Sequence, residues 1–174
     1  MSKIKNFAIK EGMNFKLTDN ATKAEYFAVD YINSASLSLE GDTTYAKKRG
    51  TNAIAFPNAK TGTFTIEADV SNEKMLALQL DGVLSQTTAT DDTITVKAIG
   101  KSKSFKLEGT FNVTFDDGSG TGLRKIVMGN VSPQTNAEIT FSDEEITVFK
   151  MVFDVLVDSK GDLVVIGPEG LGVE

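Results

Sequence analysis

Alternation of apolar and polar residues with a period of two recurs along this chain, and it limits the fold to one built mainly from strands. Across Thr63–Val70, the residues Phe64, Ile66, Ala68 and Val70 fall on one face, and Thr63, Thr65, Glu67 and Asp69 on the other. Successive side chains of a strand point to opposite sides, so this pattern is a half-buried antiparallel strand. Ser34, Ser36 and Ser38 alternate with Ala35, Leu37 and Leu39 in the same way. From Ser104 to Gly118, Phe105, Leu107, Phe111, Val113 and Phe115 share a face, while Gly109 interrupts the run and predicts a bulge or bend. Shorter signals cover Met13–Leu17, Tyr26–Val29 and Thr93–Ile99.

Near the C-terminal end, a turn at Ser142–Glu145 is expected to open a long strand. Phe149, Met151, Phe153, Val155 and Val157 form one face of it, and Val148, Lys150, Val152, Asp154 and Leu156 the other. The second face is only partly polar, which suits a strand covered on both sides or half covered by a neighbouring subunit. A single helix is predicted over Ser71–Gly82, with Ser71 as N-cap, an apolar stripe of Met75, Leu76, Leu78 and Leu80, and Gly82 as the left-handed residue that ends it. Glu40–Gly62 shows no clear periodicity and reads as a long loop carrying the basic triplet Lys47, Lys48 and Arg49. A loop of that length in a compact domain is commonly functional or ordered on assembly. Roughly nine strands without crossover helices favour an antiparallel sandwich or barrel. With no repeat and no linker, residues 1–174 read as one domain.

Composition removes much chemistry. There is no His and no Cys, which excludes disulfides, Cys/His zinc sites and His-based nucleophilic machinery. No catalytic residue, cofactor or metal ligand is predicted. Asp116–Gly122 holds small and acidic residues, yet the twelfth position of a calcium loop would fall on Val127 rather than Glu, so a hairpin turn is the better reading. The three carboxylates of Ser142–Glu145 read as a solvated hairpin tip. The net charge of −6 argues against wrapping nucleic acid. Residues 1–60 carry a net +3 and residues 61–174 a net −9. That asymmetry suits a head-to-tail contact between copies, and equally suits surface charges placed without such a role. No apolar run is long enough to span a bilayer, and the N-terminal stretch lacks a signal peptide's apolar core, so a cytoplasmic site of synthesis and no membrane partner are expected.

The order of features carries a resemblance. Half-buried strand, basic loop, clean strand and short leucine-rich helix run from Leu39 to Gly82, and a long two-sided strand, turn and terminal strand run from Thr147 to Ile166. Over about residues 30–166 this resembles the tail tube (major tail) proteins of tailed bacteriophages and related phage-tail-like particles. The resemblance implies a two-sheet β-sandwich with one flanking helix, six copies closing a ring around an inner β-barrel, and rings stacked head to tail. It implies that the 40–62 loop reaches an adjoining subunit or ring, with Asp42, Tyr45, Lys47, Lys48, Arg49 and Phe56 as its contact residues. Val148, Val152 and Leu156 are then the face meeting the next subunit. Implied partners are the chain itself and other tail proteins (tape measure, sheath, baseplate, terminator), with DNA passing the lumen without specific binding. The implied location is the virion tail, assembled in the host bacterial cytoplasm. A terminator or baseplate tube-like protein is the nearest alternative. A carbohydrate-binding or adhesin-like module is a further one, weakened by the absence of Trp and the presence of only three Tyr.

Overall fold

The computed structural model describes residues 7–9, 14–29, 32–86, 92–100, 103–134, 139 and 148–171. The expected turn at Ser142–Glu145 lies outside them. The chain opens with β1 (Phe7–Ile9), β2 (Asn14–Asp19), β3 (Glu25–Val29) and β4 (Ser34–Glu40). A hairpin of β5 (Thr43–Lys48) and β6 (Thr51–Pro57) follows, then β7 (Thr61–Ala68) and α1 (Glu73–Gln79). A second hairpin, β8 (Gly82–Gln86) and β9 (Asp92–Val96), leads to the long ribbon β10 (Phe105–Phe115) and β11 (Thr121–Pro133). The last strands are β12 (Phe149–Leu156) and β13 (Val165–Pro168).

Nine strands form one antiparallel sheet in the order β3-β2-β10-β11-β12-β7-β4, with β1 on β10 and β13 on β11. Burial follows the alternation: Phe64, Ile66 and Ala68 of β7 face the core, as do Phe105, Leu107, Phe111 and Val113 of β10 and Met151, Phe153 and Val155 of β12. Phe15 on β2 meets Phe64 on β7 edge to face, with ring centroids 5.1 Å apart. These strands stand four places apart in the sheet, so the sheet curls back on itself and the two layers are halves of one hydrogen-bonded path. β3 and β4 end the main path, and β1 and β13 are each paired on one side only among the described residues.

Several local expectations are corrected. The 40–62 segment is a hairpin rather than a loop, because Arg49 and Gly50 adopt φ of +52° and +83° and close β5 onto β6 with Lys48 opposite Thr51. Positive φ at both central residues gives a two-residue turn whose twist matches its strands. Gly109 makes no bulge, since it pairs in register with both Phe15 and Ile126. A Cβ there would lie 2.2 Å from the Phe15 ring, so the missing side chain is what admits the aromatic. The helix is capped by Asn72, not Ser71: the Asn72 side chain accepts from the Met75 N–H at 2.9 Å. It ends through Asp81 at φ +50°, leaving Gly82 to begin β8, where a Cβ would press on Ile94 at 2.6 Å. β9 stops at Val96 and leaves Ile99 almost fully exposed. Val157 is also exposed, because β12 ends at Leu156 and the chain turns through Asp158, whose carboxylate accepts from the N–H groups of Lys160 and Asp162.

β7 starts beside the β5–β6 hairpin and runs about 25 Å to the end where α1 begins. The hairpin and the helix therefore occupy opposite ends of the molecule.

Candidate assembly surfaces

The β5–β6 hairpin places the predicted contact residues together. Its root is closed by the Asn58 N–H donating to the Asp42 carbonyl at 2.8 Å and by the Asn58 amide donating to the Thr44 hydroxyl at 3.2 Å. Asp42 also accepts from the Thr43 N–H at 2.7 Å. It clamps the hairpin rather than presenting a bare charge. Cross-strand partners share a face, so Ala46 with Ile54 and Thr44 with Phe56 lie on one side, and Tyr45 with Ala55 and Thr43 with Pro57 on the other. Between Ala46 and Lys47 the register shifts, leaving Ala53 as an extra residue that bends the arm.

Every hairpin residue except Thr43 is exposed. Tyr45, Ile54 and Phe56 stand 49%, 56% and 53% accessible. The two strands pack on each other and on no other element to a comparable extent. Among the described residues, Lys47, Lys48 and Arg49 make no ion pair. A lone two-stranded hairpin is marginal in water, and this one carries large apolar side chains with neither face covered. Ile54 was invisible to sequence reading, since pattern reveals an element only when one of its faces is buried.

The second predicted surface, on β12, is dispersed. Val148 and Leu156 are exposed and Val152 is partly buried. Lys150, paired with Glu67 at 3.5 Å, and Asp154, which accepts from the Gln134 amide at 2.7 Å, separate them. β12 is an interior strand between β11 and β7, so both its edges are paired. Its outer face continues into a hydroxyl array in cross-strand register: Ser36 with Thr65 and Val152, and Ser38 with Thr63 and Asp154. At the hairpin end, this face holds a groove of about 310 Å³ lined by Ser38, Glu40, Thr61, Thr63, Asp154 and Leu156, floored by Gly62 and Val155.

A larger groove of about 570 Å³ crosses β2, β10 and β11. Several of its polar groups bond one another. The Asn20 amide donates to the Ser104 hydroxyl at 2.8 Å and to the Gly129 carbonyl at 3.0 Å, and Ser104 donates to the Asn130 side-chain oxygen at 2.8 Å. Beside it Glu108 lies 2.8 Å from Lys125 and 3.4 Å from Lys106. Burial pushes the Glu108 carboxyl up, but the two ammonium groups outweigh it and hold it below its ordinary value. Among the described residues, no three His, Cys, Asp or Glu side chains gather as a metal site requires.

With this geometry, the fold has recognisable neighbours among solved structures. A chain of the six-fold symmetrised anti-feeding prophage baseplate matches with a TM-score of 0.52 and 11% identity, over 98% of this chain and 100% of its own length. The tube-terminating cap of the anti-feeding prophage gives 0.49 at 16% identity over 88% and 87%. A sheath-tube complex of an extracellular contractile injection system gives 0.42 at 15% identity over 88% of both chains. No protein-family model matches the sequence, and comparison with curated proteins finds no relative. The mainly β, antiparallel, one-helix architecture is thus consistent with the β-rich fold of phage-tail-like particles. The neighbours belong to an anti-feeding prophage and contractile injection systems, and none is specifically a phage major tail tube.

Proposed function

We propose that this chain is a non-enzymatic structural subunit of a tail-like particle, and in particular a tube subunit. Six copies close a ring around a channel, and rings stack head to tail through heterologous contacts. The observation that carries the reading is the bare β5–β6 hairpin, exposed on both faces and basic at its tip, on a fold matched end to end by a baseplate chain of a tail-like particle. Such an arm gains its packing from a partner. In this reading Tyr45, Ile54, Phe56, Lys47, Lys48 and Arg49 meet an adjoining copy, and Val148, Val152 and Leu156 add to a subunit contact. Asp42 supports the arm from its root. Sheath, tape-measure, baseplate and terminator proteins are the further partners. DNA, where the particle carries it, passes the lumen without specific binding, and the tail of a particle assembled in a bacterial cytoplasm is the location.

A second reading is favoured by the baseplate likeness itself: a terminator or baseplate tube-like protein that forms one ring and no stack. Negative-stain electron microscopy of the purified chain over a concentration series separates them. Hollow tubes support the tube subunit, and single rings with a central hole support the second reading. A dispersed monomer at every concentration counts against both and directs attention to a ligand-binding module.

A further inference from the structure

We infer that the groove between β4, β7 and β12 is the seat of the β5–β6 hairpin of a second copy, an inference that rests on the proposed reading only in taking the chain to self-associate. The two surfaces are complementary in charge and in apolar content. From Thr43 to Pro57 the hairpin has three basic residues and no acidic one. Among the described residues the groove is lined by two carboxylates, Glu40 and Asp154, and by no basic residue, with Lys60 lying over Gly41 beside its rim. Glu40 makes no ion pair among the described residues, and neither do the three cations of the hairpin tip. One wall of the groove is Leu156, 43% accessible. It offers Ile54 and Phe56, or Tyr45 on the opposite face, an apolar counterpart.

The occupant is not the chain's own hairpin. That arm springs from the groove's rim just beyond Glu40, and its ladder from Thr43 to Lys48 is hydrogen-bonded from the root to the turn. Six residues of strand carry the basic tip roughly 20 Å from its own groove, beyond a Debye length of about 8–10 Å at physiological salt. A second copy supplies the same arm without that tether. Hairpin and groove are different patches, so the contact is heterologous and each copy both gives and receives. Both sit at the end of the molecule where β4 and β12 finish and β7 begins. Copies pointing the same way therefore meet side by side, as neighbours around a ring, while end-to-end stacking is left to other surfaces.

The chain has no cysteine, which allows a direct test on the full-length protein. Arg49→Cys and Asp154→Cys are made separately, shown to melt like the parent, mixed under assembling conditions and oxidised. The mixture should give on the order of ten-fold more disulfide-linked dimer than either variant alone, because docking raises the local thiol concentration. In parallel, Lys47→Glu/Lys48→Glu/Arg49→Glu and Glu40→Lys/Asp154→Lys should each slow assembly at low salt by about ten-fold, and mixing the two should restore it in part. Crosslinking in the Arg49→Cys variant alone would mean that hairpins meet hairpins, and would overturn the inference. Rings or tubes that form without any mixed crosslink would also overturn it while leaving the structural-subunit reading intact. A chain that never associates would sink both.

Discussion

Gly109 lacks a side chain because Phe15 occupies its place. An added Cβ would sit 2.2 Å and 2.5 Å from two carbons of the Phe15 ring and 3.1 Å from Ile126. The ring is itself held against Phe64, so it has little room to yield. Gly109→Ala should therefore cost about 1–3 kcal/mol as an overpacked core, measured by urea denaturation. A loss below about 0.5 kcal/mol, the level of an ordinary surface change, would show that the ring moves freely. The sequence marked Gly109 as special but not why, since the reason lies on a strand paired with it from far along the chain. The helix cap was misplaced by one residue for a related cause: Ser71 and Asn72 are both good caps by type, and only the geometry that brings Asn72 to the Met75 N–H decides between them. Glu108 gives a pH signature. A carboxylate held lower in the folded chain than in the unfolded one stabilises the fold above its unfolded pKa and loses that contribution as pH falls through its folded value. For Glu108 the decline begins below pH 4.5. Glu108→Gln should be less stable than the parent near neutrality by on the order of 0.5–1 kcal/mol, as expected for a partly exposed ion pair. The gap should narrow as pH falls through the carboxylate range, and a gap that does not narrow would point to packing rather than charge.

At the level of elements, legibility tracked burial. β7, β10 and β12 each set one face in the core and β4 rests the half-buried Ala35 and Leu37 against it, and their alternation was plain in the sequence. β5 and β6 have no buried face, so their composition obeys no core, and the turn between them is Arg-Gly rather than the familiar Asn-Gly or Asp-Gly. β8 escaped notice because it is short and its glycine resembled a helix stop. The same lack of packing makes a clean prediction. Replacing Thr43–Pro57 with a two-residue turn should leave far-UV circular dichroism otherwise that of the parent body, and should shift the melting temperature by no more than about 2 °C, the shift of well under 1 kcal/mol in a chain this size. Assembly, followed by light scattering, should be lost. A body that unfolds without the arm would show that the hairpin is part of the core's support.

For the whole molecule, the decisive contact is the one that closes the curl. Phe15 and Phe64 meet across four strand positions, and no local pattern foretells which apolar faces end up opposed. A double-mutant cycle to Leu at both positions should return a coupling of about 0.5–1.5 kcal/mol, the extra worth of an edge-to-face pair. Additive losses would mean that the layers are held by area alone. The candidate surfaces were legible as residues, in the basic triplet and the aromatic neighbours, but their grouping into an arm and a groove needed the register of β4, β7 and β12. That register has a temporal consequence. β7 waits for β12 and β2 for β10, partners made some ninety residues later in the chain. At a synthesis rate of roughly 5–20 residues per second, the nascent chain holds Phe15, Phe27 and Phe64 on the partial pairings β2–β3 and β4–β7 for several seconds before β10 and β12 arrive to complete their cover. Partly covered apolar surface of that duration is where such a chain is open to aggregation while it is being made.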